Sequence, residues 1–241
     1  MIPKQIHYIW LSGNEKSDLI KKCINSWAEK CPDYKIVEWT EKSLDRISNK
    51  YYKQALASEK WAFATDYARL WIIYNCGGIY LDTDVELLEN LDSLIGHKFF
   101  LCSETEDKIN TGLGFGAVRK NEIIKILLDS YENINFKIGN KQDFTPCPDR
   151  NTKDLCGALK IDNSFKETVY LNGGVLLPKD YFCPLDYETK KMHMTDNTLA
   201  IHWYSGSWLT GRQKLKKNVL VIARNILGKK IYNNIKRIAK K

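Results

Sequence analysis

The chain has 241 residues, 44% hydrophobic and 27% charged, the balance of a globular protein with an ordinary core rather than of a disordered one. No run of about 18 apolar residues offers a membrane-spanning helix, and Met1-Ile2-Pro3-Lys4-Gln5-Ile6 lacks the apolar stretch of a secretion signal, so a cytoplasmic protein is expected. The net charge of +8 is lopsided: residues 197–241 hold eleven Lys or Arg and no Asp or Glu, which leaves −3 for the first 196 residues. Seven scattered cysteines without a Cys-x-x-Cys exclude a disulfide framework or zinc knuckle and read as reduced thiols.

In chain order, Gln5 to Leu11 (QIHYIWL) predicts a strand, followed by a Ser-Gly-Asn turn. Ile20 to Lys30 has helical spacing in Ile20, Ile24, Trp27 and Ala28, and Pro32 closes it. Tyr34 to Trp39 predicts a second strand, so the order suggests a parallel βαβ unit with its crevice at the carboxyl ends of the strands. Residues 59–75 form a long, broadly apolar helix leading into a strand at 79–82, with further strands at 99–102 and 116–118. Beyond Asp129 the chain reads as irregular, punctuated by Pro146, Pro148, Pro178 and Pro184. The last segment, 214–241, places Val219, Ile222, Ala223, Ile226, Ile231, Ile235 and Ile238 mostly three or four residues apart among lysines and arginines. It predicts a basic amphipathic helix suited to an anionic membrane surface, or packed on the domain with a solvated basic face. Interleaved aromatics for base stacking are lacking, so no nucleic-acid partner is expected.

Two constellations carry chemistry. Gly77-Gly78-Ile79-Tyr80-Leu81-Asp82-Thr83-Asp84-Val85 sets two short-armed carboxylates one residue apart at the end of an apolar run. A strand leaving a sheet could aim both at one hard cation, whose other positions take diphosphate oxygens and water. The alternative for an isolated Asp-x-Asp is a solvated acidic turn. Asp66 and Arg69 lie three apart on one helical face among Trp61, Ala62, Phe63, Ala64, Ala68, Leu70, Trp71 and Ile72. A carboxylate accepts from sugar hydroxyls, and a guanidinium binds hydroxyls or phosphate oxygens in fixed geometry. Taken alone, such a pair is more often a helix-surface salt bridge.

The blocks IPKQIHYIW at 2–10, AFATDYARLWIIYNCGGIYLDTDVE at 62–86 and AIHWYSGSW at 200–208 resemble the sugar-binding Asp-x-Asp glycosyltransferases. This is the family 32-like group that includes initiating α-1,6-mannosyltransferases and capsular polysaccharide enzymes, and it is distantly similar to the glucosyltransferase domains of large bacterial cytotoxins. The resemblance covers most of residues 2–208, leaves the basic helix 214–241 outside, and implies an α/β fold of GT-A type, a domain expected over 1–213. It also implies a nucleotide-sugar donor, UDP-linked, a Mn²⁺ or Mg²⁺ ion, and a hexose or N-acetylhexosamine moved with retention to a glycan or lipid-linked glycan acceptor in surface polysaccharide synthesis. With the cytoplasmic expectation from the amino terminus, the membrane-surface reading of the basic tail would place the protein at the inner face of the cell membrane. By the same resemblance Trp10 packs against the nucleobase, and Asp66 and Arg69 hold the transferred sugar. Asp82 contacts ribose and metal-bound water, Asp84 ligates the metal, and His202 completes the metal or diphosphate site. Asn110, after Glu104 and beside the glycine run 112–116, faces the sugar. Ser207 and Trp208 donate to the leaving diphosphate from a covering loop.

No carboxylate is singled out as a covalent nucleophile, so the expected mechanism is same-face attack by the acceptor hydroxyl, with a donor phosphate oxygen taking the proton. Two alternatives stand beside this. One is a haloacid-dehalogenase-like phosphatase using Asp82 and Asp84, from whose pattern Glu86 and the late position of the motif depart. The other is a non-enzymatic membrane- or nucleic-acid-binding protein acting through the tail, which would leave Asp66, Arg69, Asp82 and Asp84 without a shared purpose.

Overall fold

The computed structural model describes residues 1–187 and 189–206. The chain divides into two compact units, Met1–Pro184 with Met194–Trp203, and Leu185–His193 with Tyr204–Lys241. In the second, Leu185 bridges Met192, and Tyr187 meets Tyr204 edge-on at 4.9 Å. The expected boundary at 213 and the basic helix 214–241 lie outside the described residues.

The first unit is built on a mixed sheet. Its strands are β1 (Gln5–Ile9), β2 (Lys35–Trp39), β3 (Gly78–Tyr80), β5 (Phe99–Thr105), β6 (Lys108–Ile109), β7 (Phe115–Ala117), β10 (Val169–Leu171) and β11 (Gly174–Leu177). The order is β10-β11-β5-β7-β3-β1-β2, with β6 beside β5. β1 runs parallel to both β2 and β3, as the βαβ reading expects, whereas β7 is antiparallel to its neighbours β3 and β5. Two small ladders stand apart: β4 (Val85–Leu87) with β12 (Ala200–His202), and β8 (Lys137–Ile138) with β9 (Lys141–Gln142).

Five helices flank these strands. In α1 (Asp18–Lys30), the Ser17 hydroxyl accepts from the Ile20 amide, and Ile20, Cys23, Ser26 and Trp27 form the buried face. α2 (Lys50–Ala57) and α4 (Glu122–Asp129) begin at Asn49 and Asn121, whose side chains accept from first-turn amides. α3 (Trp61–Cys76) is apolar nearly all round and lies in the core with Ala64, Ala68, Leu70, Ile72 and Ile73 buried, the pattern of a helix enclosed on most sides.

The double glycine after α3 has a steric cause. Gly77 and Gly78 have φ of +71° and +98°, and a β-carbon at Gly78 would sit 2.8 Å from the Gln5 carbonyl and from His7 Nε2. Only glycine lets the chain turn out of α3 and lie flat beside β1. The strand that follows ends at Tyr80, so Asp82 and Asp84 belong to a turn between β3 and β4, not to the strand expected over 79–82.

The expectation of irregular chain after Asp129 is corrected as well, because α5 (Cys147–Leu159) occupies that region. Its buried face is Cys147, Asn151, Thr152 and Leu155, at helical spacing but mostly polar, so hydrophobic periodicity does not reveal it. All seven cysteines are free thiols, as expected. No described helix is long and apolar enough to cross a membrane.

His7 locks β1 to its neighbours. Its Nε2 faces the Gly77 carbonyl at 3.1 Å, and its Nδ1 accepts from the Trp39 indole N–H at 3.1 Å, an arrangement for the neutral ring. Burial lowers its pKa from 6.5 to about 4, the Gly77 bond opposing and Lys35 adding to the shift. As pH falls from 6.5 toward 4, the unfolded chain binds this proton and the folded chain does not. Stability therefore drops by up to about 3 kcal/mol across that window. Urea unfolding midpoints taken between pH 7.5 and 5 are expected to fall less steeply in His7→Gln than in the parent.

Candidate active site

β3 delivers the Asp-x-Asp turn beside the end of β1. His7 is opposite Tyr80 in the parallel ladder and the Leu81 amide donates to the His7 carbonyl, so the turn that carries Asp82 and Asp84 leaves the sheet at the carboxyl end of β1. This is the carboxyl end of the parallel strands, where α/β sheets bind ligands. Trp10 is half-buried, its indole N–H donating to the Asn14 carbonyl at 2.8 Å, and the Lys16 ammonium lies 5.3 Å from its ring centre. Trp10, Asn14, Lys16, Glu38 and Thr40 line a cleft of about 520 Å³ at the ends of β1 and β2.

Arg69 is the hub of the site. Buried on α3, its Nη2 donates to Asp66 Oδ1 at 2.7 Å, and its Nη1 lies 3.5 Å from Asp82 Oδ2. Its Nε donates to the Thr65 carbonyl at 3.1 Å, and the guanidinium sits 5.3 Å from the centre of the Tyr80 ring. The pair is thus a buried charge cluster rather than an exposed salt bridge. The fully buried Tyr80 hydroxyl donates to Asp82 Oδ1 at 2.9 Å. Burial pushes the Asp66 carboxyl up to about 7, with Arg69 restraining the rise and Asp82 adding to it. Asp82 is also raised, by burial first, against Arg69 and with the Asp84 charge beside it. Two carboxylates beside one guanidinium, with Asp84 adjoining Asp82, leave negative charge in excess.

Asp84 and His202 complete the group. β12 pairs antiparallel with β4, and this brings His202 Nε2 to 3.2 Å from Asp84 Oδ1. Burial alone would lower the His202 pKa, but the Asp84 carboxylate outweighs it and the pKa is raised. One ligand atom each from Asp82, Asp84 and His202 lie within 4.8 Å of one another. Two carboxylates and an imidazole suit a divalent ion, and Mn²⁺ accepts this mixed oxygen and nitrogen set more readily than Mg²⁺.

Asn110 joins from the segment after β6. Its Nδ2 donates to Glu104 Oε2 at 3.2 Å, and its Oδ1 accepts the Gly112 amide at 2.7 Å. Gly112 touches the hub: a β-carbon there would lie 2.7 Å from both Arg69 Nη1 and Asp82 Oδ2. Gly112→Ala is expected to split the Arg69–Asp82 contact with the fold retained, and to lower at least tenfold, in calorimetric titration, the affinity for the nucleotide-sugar donor that the sequence resemblance implies.

Thus Asp66, Arg69, Asp82, Asp84, Asn110 and His202 are gathered together, and Trp10 borders the cleft at the same end of the sheet. Ser207 and Trp208 lie outside the described residues.

Sequence reading missed the wall opposite α3, the first turn of α5. Cys147 Sγ lies 3.2 Å from the Thr111 hydroxyl and 3.2 Å from Asn151 Nδ2, beside the Asp66 carboxyl. Burial beside Asp66 pushes that thiol up to about 12, so it stays protonated. Pro148 at the second position of the helix was the available signal, since proline favours a helix's first turn.

Residues 17–101 match the family model described as "Glycosyltransferase sugar-binding region containing DXD motif". Two Schizosaccharomyces pombe proteins are similar. Inositol phosphoceramide mannosyltransferase 1 is 23% identical over 58% of this chain and 46% of its own length. Inositol phosphoceramide mannosyltransferase 3 is 31% identical over 47% of this chain and 33% of its own length. The chain therefore spans less than half the length of either relative. Among solved structures, the PaToxG glycosyltransferase superposes with a TM-score of 0.53 at 24% identity, over 66% of this chain and 70% of that one. Residues 17–101 are thus similar to the DXD-containing sugar-binding region of glycosyltransferases, and the chain has a GT-A fold.

Proposed function

We propose that the protein is a metal-dependent, retaining glycosyltransferase that moves a hexose or N-acetylhexosamine from a nucleotide sugar, UDP-linked, to a glycan or lipid-linked glycan acceptor. The observation that carries this reading is that Asp82 belongs at once to the Arg69-centred cluster and to the Asp82, Asp84, His202 group. One carboxylate then ties the sugar side of the site to the diphosphate side.

Asp84, Asp82 and His202 would hold Mn²⁺ or Mg²⁺, which supplies Lewis acidity to the leaving diphosphate. The residues of the chain do the rest. Trp10 borders the cleft and stacks on the nucleobase. Asp66 accepts from sugar hydroxyls while Arg69 fixes it, so the hexose is oriented before the bond breaks. Asn110, held by Glu104 and the Gly112 amide, presents its remaining polar groups to the sugar. Ser207 and Trp208, by their match to the family's Ser-Trp pair, donate to the diphosphate as charge develops. The acceptor hydroxyl attacks the face that the diphosphate leaves, and a donor phosphate oxygen takes its proton.

A lipid-linked acceptor agrees with the names of the two mannosyltransferase relatives, which specify inositol phosphoceramide. Surface polysaccharide synthesis at the inner face of the membrane, with residues 214–241 as a basic anchor, completes the reading. A phosphatase would need Asp82 as a free nucleophile, yet Tyr80 donates to one of its oxygens and Arg69 faces the other. Titrating a panel of UDP and GDP sugars with and without Mn²⁺ tests the proposal: at least one donor is expected to bind, and only with the metal.

A further inference from the structure

The ladder that brings His202 to Asp84 is short. Among the described residues β4 and β12 have three residues each and pair as strands only with each other; the Leu199 and His202 amides also bond the Tyr181 and Phe182 carbonyls, but so short a two-stranded ladder is marginal and prone to slip. A slip of one residue would put Ile201 or Trp203 where His202 stands. Something must fix the register.

The observed register pairs Ala200 with Leu87, Ile201 with Glu86 and His202 with Val85. Side chains alternate across a ladder, so Glu86 and Trp203 share one face and His202 takes the other. On their face, the Trp203 indole N–H donates to Glu86 Oε2 at 2.8 Å, a diagonal cross-strand bond. Glu86 Oε1 also pairs with Lys22 on α1 at 2.8 Å, and the Lys22 ammonium lies 5.5 Å from the Trp203 ring centre. The same face of α1 clamps β4 directly: the Trp27 indole donates to the Val85 carbonyl at 2.7 Å, and the Ser26 hydroxyl accepts the Leu87 amide at 2.9 Å. The Trp203 amide closes the arrangement on the Asp84 carbonyl at 3.0 Å.

We infer that Glu86 is a positioning residue of the metal site, acting through its bond to the Trp203 indole to hold β12 in the register that sets His202 against Asp84. The inference rests on the proposed metal site and adds to it a residue on the far face of the ladder. Glu86 is not one of the three ligating groups, so its effect is expected to pass through His202. Of its two partners, Trp203 carries the function. Lys22 is 59% exposed, and an ion pair so open to water contributes little.

The test is Mn²⁺ affinity of the 241-residue chain, measured by electron paramagnetic resonance titration, for the parent, Glu86→Ala, Glu86→Gln, Trp203→Phe, His202→Ala and the double variant Glu86→Ala/His202→Ala. Outer partners of metal ligands typically contribute about 10- to 100-fold in affinity, so Glu86→Ala and Trp203→Phe are each expected to lose about tenfold. Glu86→Gln, whose amide oxygen still accepts the indole N–H, should recover most of the loss. In the His202→Ala background, Glu86→Ala should cost nothing further. Parent-like affinity in Glu86→Ala and Trp203→Phe would overturn the inference while leaving the metal site standing. A full additional loss in the double variant would also overturn it, because Glu86 would then act by another route. Absence of Mn²⁺ binding in the parent would remove both. Should Glu86→Ala fail to fold, Glu86→Gln against Trp203→Phe decides the matter, since only the second removes the bond.

Discussion

Replacing Arg69 by methionine is expected to lower stability by about 3–5 kcal/mol at pH 8, the usual cost of removing one partner from a buried ion pair. A domain holds about 5–15 kcal/mol in total, so this is a large share. The volume change is small; the loss comes from Asp66 and Asp82, left beside each other without their shared cation. The effect carries a definite pH dependence. Burial already raises Asp66 to about 7 with Arg69 present, and removing the cation raises it further. A carboxyl whose folded pKa exceeds its unfolded one is stabilising below the unfolded value and loses that contribution as pH rises toward the folded value. The deficit of Arg69→Met should therefore shrink between pH 8 and pH 5, which urea unfolding at the two pH values would show. Arg69→Lys should fall between, because an ammonium supplies the charge without the fork that reaches both carboxylates. An equal deficit at both pH values would mean that packing, not buried charge, is what Arg69 supplies.

Asp84→Asn is expected to separate stability from binding. The amide keeps the shape and can still accept from His202, while one of two neighbouring carboxylate charges is removed. Without metal, loss of the Asp84–His202 pairing is offset by relief of the repulsion that raises Asp82, so the melting point should shift little. Mn²⁺ affinity should fall by more than about 100-fold, beyond the range seen for outer partners, because a direct ligand is lost. A melting point several degrees lower, with Mn²⁺ affinity unchanged, would assign Asp84 a purely structural role.

How far this site was legible in the sequence differed from residue to residue. Asp66, Arg69, Asp82 and Asp84 lie within 19 residues, and a helix leading through two glycines into β3 was readable from spacing. What spacing does not convey is that the Asp-x-Asp sits in a turn, where each carboxylate is aimed by long-range partners rather than by strand alternation. Asp82 is held by Tyr80 and Arg69, and Asp84 faces a histidine 118 residues later in the chain. The family resemblance placed that histidine; local pattern could not. The first turn of α5 escaped notice for a physical reason, since its inward face packs polar Cys147, Asn151 and Thr152 against other polar groups. Hydrophobic periodicity is blind to a helix whose buried stripe hydrogen-bonds. The Glu86–Trp203 bond is equally invisible in one dimension, although Glu86 is the residue at which the sequence departs from the phosphatase pattern.

The measurement that reaches the central claim most directly is release of free nucleotide from the sugar donor that binds best, followed with Mn²⁺ and again with excess chelator, for the parent and Asp84→Asn. The account predicts metal-dependent release by the parent, none with chelator, and none by the variant. Release that persists in chelator or in Asp84→Asn, or the absence of metal-dependent binding to any nucleotide sugar, would contradict it.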